Sequence, residues 1–147
     1  MSIKVRIKNL SNNPNPEYKT INSSGMDVMA YLDSPITLKP LERAVIPTGL
    51  YIELPEGYEA QIRPRSGLCA NYGLTVLNTP GTIDADYRGE IKIILINLSD
   101  KEVTIKNGDR ICQMVITKVE KVEWINADEL TKTTRGEGGF GHTGINN

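Results

Sequence analysis

Residues 91–116 read IKIILINLSDKEVTIKNGDRICQMVI. The nearly continuous apolar run from Ile91 to Ile96 predicts a strand buried on both faces. Val103 to Ile105 and Ile111 to Ile116 flank Asn107-Gly108, a pair that favours the positive backbone angles of a type I′ turn, so this part predicts a hairpin. Outward from here the period stays at two. Ile3, Val5 and Ile7 alternate with Lys4, Arg6 and Lys8 as in a half-buried strand. Further strands read around Ala44 to Ile46, Leu50 to Leu54, Tyr58 to Ile62 and Thr75 to Leu77. The 13 Gly and 8 Pro punctuate them at short intervals, which predicts an all-β antiparallel sandwich or barrel.

Helical signal is confined to Ser66–Tyr72, with Ser66 as N-cap and Gly73 just past the end, and to a single turn at Asn126 to Leu130. No internal repeat stands out. From Thr131 the chain turns polar and glycine-rich, so the expected organisation is a β domain over 1–130 and a mobile arm over 131–147.

The chain has 147 residues, which fits one domain with a real core. Its 17 Lys+Arg against 18 Asp+Glu leave no basic excess, arguing against a nucleic-acid binder but not against a small phosphorylated ligand. Cys69 and Cys112 form no CxxC pair, so they read as small buried thiols in a reducing compartment. No apolar run suits a signal peptide or a membrane helix, and the expected location is the cytoplasm.

Five segments carry candidate chemistry. Arg135 to Gly144 holds five glycines whose N–H groups can face phosphate oxygens, a forked cation in Arg135, and Phe140, the chain's one Phe, able to stack on a base. The plainer reading is a solvated tail. Pro64-Arg65-Ser66-Gly67-Leu68 opens the short helix and suits an anion, or is an ordinary cap beside a surface Arg. Asn78 to Glu90 offers Asp84 and Asp86 as candidate bases and Tyr87 as a flat ring, or is an Asx-rich turn. Asn22 to Val28 and Gly108 to Gln113 are weaker, with Asp27 paired to an Arg and Asp109 part of a turn as the structural alternatives.

Taken in chain order the segments resemble the five motifs of the trimeric dUTP diphosphatase (dUTPase) family: Ser-Gly-Met-Asp at 24–27, Pro-Arg-Ser-Gly-Leu at 64–68, Gly-Thr-Ile-Asp-Ala-Asp-Tyr-Arg-Gly-Glu at 81–90, Gly-Asp-Arg-Ile-Cys-Gln at 108–113 and Arg-Gly-Glu-Gly-Gly-Phe-Gly-His-Thr-Gly at 135–144. The resemblance implies a jelly-roll-like β-barrel or sandwich with one short helix and a flexible glycine-rich tail. It implies a homotrimer with active sites at subunit interfaces, dUTP as substrate, dUMP and pyrophosphate as products, and Mg²⁺ as cofactor. By position, Asp84 resembles the general base. Tyr87 resembles the residue whose ring lies under the deoxyribose and leaves no room for a 2′-hydroxyl. Asn78, with backbone near Gly81, Thr82 and Ile91, resembles the uracil-binding hairpin. Arg65, Ser66, Gly67 and Gln113 resemble phosphate contacts, Arg135 a γ-phosphate grip, and Phe140 with Gly141 the cover on the uracil. No side chain would bind the metal directly, Asp27 reaching it through water at most. Arg110 would serve the interface or brace a carboxylate.

His142 stands where the family's fifth motif has serine, and Cys69 and Cys112 where alanine is usual; Val28 replaces a leucine. Two alternatives are a dCTP deaminase of the same fold, which would need an acid–base glutamate at the base and would lack the full tail motif, and a non-catalytic nucleotide-sensing or partner-binding protein.

Overall fold

Alternating apolar side chains cut by turn residues produce many short strands, and the computed structural model, which describes residues 2–146, has eleven of them among those residues. They are β1 (Arg6–Asn9), β2 (Met26–Met29), β3 (Ile36–Leu38), β4 (Arg43–Pro47), β5 (Leu50–Glu53), β6 (Tyr58–Arg63), β7 (Leu74–Val76), β8 (Gly81–Ile83), β9 (Lys92–Asn97), β10 (Val103–Ile105) and β11 (Arg110–Lys118), with one helix, α1 (Ser66–Tyr72), between β6 and β7. All pairings are antiparallel. The sheets run β2-β11-β6-β8, β4-β9-β7, β1-β5 and β10-β3. Their inward faces share one core, in which Val28, Ile46, Ile93, Leu95, Ile105 and Cys112 are almost solvent-free. The all-β expectation holds.

Several local expectations do not. Asn107-Gly108 does turn the chain, with Gly108 at φ 83° and Asp109 N–H donating to the Lys106 carbonyl at 3.1 Å. Yet β10 and β11 do not pair with each other. β10 joins β3, and β11 joins β2 and β6, because the chain around Gly108 bonds instead to Ala30 (Gly108 N–H to Ala30 O and Ala30 N–H to Asp109 O, both 2.9 Å). β9 is buried on one face through Ile93 and Leu95, but Ile94 and Ile96 on the other face are only half-buried. The N-terminal strand starts at Arg6, and Ile3 and Ile7 stay 38% exposed, because β1 pairs with β5 alone. Ser66 is the first helical residue and not the cap. Arg65 holds the cap position in extended geometry and makes no side-chain cap bond, while Gly73 closes the helix in left-handed geometry as its position foretold. No helical turn forms at 126–130, an exposed stretch without a packed face to stabilise one.

Two corners of the fold share one local geometry. Asn9-Leu10-Ser11 ends β1 and Asn97-Leu98-Ser99 follows β9 with the same bonds. In each, the Asn Oδ1 accepts from the Ser N–H at 2.9 Å and from the Ser hydroxyl, and the Asn Nδ2 donates to the carbonyl four residues on. In each, the Leu N–H donates at 2.8 Å to a left-handed glycine, Gly49 or Gly73, which precedes the partner strand. A Cβ on either glycine would lie 2.8 Å from the Ser backbone nitrogen. The positive φ and the close approach both demand glycine there.

Candidate active site

The third segment forms a strand, a turn and a return. β8 carries Gly81, Thr82 and Ile83 along the outer edge of the four-stranded sheet, registered against Ile62, Gln61 and Ala60 of β6. As an edge strand it keeps one side unpaired by any other strand of that sheet, suiting it to receive a polar ring edge. Asn78, exposed before β8, brings its amide nitrogen 3.4 Å from where a Cβ on Gly81 would sit. Asp84 follows β8 directly and closes a turn in which Tyr87 N–H donates to its carbonyl at 3.1 Å. The turn leaves Asp84 and Asp86 exposed at separate positions along its course.

The return leg is anchored from β5 and the turn before it. Thr48, itself buried, donates its hydroxyl to the Ile91 carbonyl at 2.5 Å, Ile91 N–H donates to Leu50 O at 2.8 Å, and Gly49 N–H donates to the Glu90 carboxylate at 3.2 Å. Both backbone groups of Ile91 are therefore engaged within the chain. Ile91 is left as an apolar wall. Asp84, Tyr87, Thr82 and Ile91 line one cleft of about 480 Å³. Asp84 also borders a neighbouring acidic cleft with Asp86, Glu56 and Glu59. An exposed carboxylate beside an exposed flat ring can take a proton from water next to a planar or sugar-like ligand.

A second cluster joins the first, second and fourth segments. Asp27 on β2 receives Arg65 Nε at 3.0 Å on one oxygen, and Arg110 Nη1 lies 3.5 Å from the other. Arg65 also donates to the Arg110 carbonyl at 3.0 Å. Gln113 on β11 pairs in register with Asp27 and Arg63 and donates to the Pro64 carbonyl at 3.1 Å. So Asp27 does pair with an arginine, and Arg110 does brace a carboxylate. Two guanidinium groups against one carboxylate leave a net positive charge, which suits phosphate oxygens. Ser66 and Gly67, exposed at the helix start, stand next to Arg65. Beneath the cluster, burial and then the Asp27 charge push the Cys112 thiol well above the usual thiol range, while Arg65 acts the other way. Both cysteines are free thiols; Cys112 is buried as expected and Cys69 half-buried.

The fifth segment is a chain of turns. Gly138, His142 and Gly144 N–H donate to the carbonyls three residues earlier, and Arg135 Nε donates to Gly138 O at 2.8 Å. Phe140 is fully open to solvent, and Arg135 and Gly141 are exposed. A Cβ on Gly138 would lie 2.7 Å from the His142 ring. Within this chain Arg65 and Asp84 line different clefts, Arg65 bordering one under α1 that Asp84 does not line, and the tail lines neither.

Thr48 was missed from the sequence, and Gly89 and Glu90 stood in the third segment without an assigned role. Thr48 is 43 residues from the carbonyl it holds, a pairing no local pattern encodes.

Comparison with known proteins identifies the arrangement. The chain is similar to the deoxyuridine 5′-triphosphate nucleotidohydrolase of Finegoldia magna, 61% identical across 97% of this chain and 99% of that one. The enzyme of the same name from Cytophaga hutchinsonii is 56% identical across 98% and 94%. Among solved structures, the Staphylococcus bacteriophage 80alpha dUTPase with dUPNHPP superposes with a TM-score of 0.88 at 27% identity, covering 98% of this chain and all of that one. The architecture is accordingly jelly-roll-like. A dUTPase family model matches residues 11–144, a span that holds all five segments. With the motifs in register and relatives alike over nearly their whole length, the chain belongs to the dUTPase family, enzymes that hydrolyse dUTP.

Proposed function

We propose that the chain cleaves dUTP to dUMP and pyrophosphate by an Asp84-activated water, at sites completed by three copies of itself. Asp84 takes a proton from water as the water oxygen bonds to the α-phosphorus. The bond from that phosphorus to the bridging oxygen breaks, and pyrophosphate leaves with the electron pair. The observation that carries this is the exposed Asp84 carboxylate sharing a cleft with Tyr87 at the free edge of β8. A base so placed contributes about 10²–10⁴ in rate.

Arg65, aimed by Asp27 and Arg110, would grip phosphate with Ser66, Gly67 and Gln113. Arg135 would hold the γ-phosphate, and Phe140 with Gly141 would cover the uracil as the tail closes and excludes water. Asn78, Gly81 and Thr82 would pair with the uracil edge. That pairing rejects cytosine, whose exchanged donor would leave buried groups unpaired.

Separation of these pieces in one protomer supports assembly, since Asp84, Arg65 and Phe140 need neighbours to meet on one nucleotide. Exposed Val122, Trp124 and Ile125, and the open apolar face of Ile3 and Ile7, favour burial between copies. Among the described residues no three His, Cys, Asp or Glu side chains gather as a metal cage, and Asp27 has both oxygens turned to arginines. Such a chain suits Mg²⁺ carried by the triphosphate and water. When bound, the ion would neutralise charge on the phosphates and the leaving group. Among the described residues no helix is long and apolar enough to cross a membrane. Two unbridged thiols agree with a reducing, cytoplasmic setting.

The test is pyrophosphate release from dUTP, dTTP, dCTP and UTP, with and without Mg²⁺, beside an ammonia assay on dCTP. Release from dUTP alone, dependent on the metal, is expected. Equal release from dCTP, or ammonia from it, would refute the specificity.

A further inference from the structure

Tyr87 holds a place that a side chain at position 89 would take. A Cβ built on Gly89 would lie 2.4 Å from the Tyr87 hydroxyl oxygen, 2.6 Å from Cζ and 2.9 Å from Cε2. The backbone of Gly89 is not in the left-handed region, so its conformation alone does not call for glycine. The ring folded over it does. One bond holds that ring down, its hydroxyl donating to the Glu90 carbonyl at 2.8 Å, while the backbone Tyr87 N–H donates to Asp84 O at 3.1 Å and fixes the turn from which the ring projects. Glu90 is itself held through its carboxylate by Gly49 N–H. The residue remains 45% exposed on the side of the cleft it shares with Asp84 and Thr82.

Resting on the reading that this ring lies under the deoxyribose, we propose that Gly89 is a positioning residue that sets discrimination between deoxyribo- and ribonucleotides. Its missing side chain lets the Tyr87 ring lie back at the depth where a deoxyribose fits and a 2′-hydroxyl does not. A methyl at 89 displaces the ring by about 1 Å to restore ordinary contact. Displacements of that size matter to reacting geometry, and the ring would no longer meet the sugar at C2′ as before.

The experiment compares kcat/KM for dUTP and UTP in the parent, Gly89→Ala, Tyr87→Ala and the double variant, with thermal unfolding of each. Gly89→Ala is expected to lower kcat/KM for dUTP by about tenfold, because the displaced ring fills part of the deoxyribose space, and so to move the UTP:dUTP ratio off the parental value. The double variant is expected to match Tyr87→Ala, since both changes act through one ring. A loosened ratio in Tyr87→Ala with a parental ratio in Gly89→Ala overturns the role of Gly89 and leaves the Tyr87 reading intact. A parental ratio in Tyr87→Ala overturns the Tyr87 reading, and the Gly89 proposal falls with it. Should Gly89→Ala fail to fold, Tyr87→Phe decides: it keeps the glycine and removes the tether to Glu90, so a parental ratio there overturns the proposal and a loosened one supports it.

Discussion

Asp84 stands just past β8 with its carboxylate in solvent, so exchanging it for Asn removes a proton acceptor and disturbs little packing. Asp84→Asn is expected to lower single-turnover cleavage of dUTP by about 10²–10⁴ while calorimetry finds dUTP affinity near the parent's. Unchanged turnover would refute its role as base. Cys112 behaves in the opposite way, because burial and the Asp27 charge hold its proton in place. Only the thiolate is nucleophilic, so a thiol reagent should leave Cys112 unmodified in the native protein and label it on unfolding. The unfolded chain gives up this proton first as pH rises. Its contribution to stability is therefore full below the ordinary thiol range and declines above it. Cys112→Ala should flatten that alkaline decline in urea titrations, and an unaltered slope would count against the assignment.

At the scale of elements, the two Asn-Leu-Ser corners form a matched pair for separating geometry from burial. Asn97 is fully buried, and its amide holds the Leu38 and Lys101 carbonyls at 2.9 and 2.7 Å. Asn9 makes the same local bonds half in solvent. Asn97→Ala leaves partners without water to replace the amide and should cost about 2–3 kcal/mol, Asn9→Ala about 1 kcal/mol or less. Urea denaturation checks the order, and equal losses would defeat the burial argument. These corners also mark where the sequence stops being readable. Period-two patterning exposed β4, β5, β6 and β7, a continuous apolar run marked β9, and Gly73 announced the end of α1. It missed β2, β3 and β8, each only three or four residues long. Asn107-Gly108 correctly marked a turn but not its pairing, because turn chemistry is local while strand partners follow the apolar faces of the whole chain. The site divides the same way. Residue types and order marked Asp84, Tyr87 and Arg65, whereas the long-range bonds from Thr48 to Ile91 and from Gly49 to Glu90 leave no local trace.

For the whole molecule the question is why the C-terminal stretch, exposed from Glu120 to Asn146 apart from two glycines, stays outside the core. Thr131 to Asn146 are exposed apart from Gly138 and Gly139, and the tail's bonds join near neighbours. Phe140 in solvent forgoes the burial that an aromatic ring normally gains. Such a segment adds little to folding, and in the proposed mechanism it gains its contacts when nucleotide arrives, through Arg135 on phosphate and Phe140 on the base. Deleting residues from Thr134 onward is therefore expected to leave the unfolding temperature and assembly mass as in the parent, by calorimetry and light scattering. The same deletion should cut kcat/KM for dUTP by about a hundredfold or more, since water exclusion and orientation go with the tail. Normal kinetics from the truncated chain would remove the closing role. A collapse of assembly would instead make the tail a structural strap, and the exposure of Phe140 would then need a subunit contact to account for it.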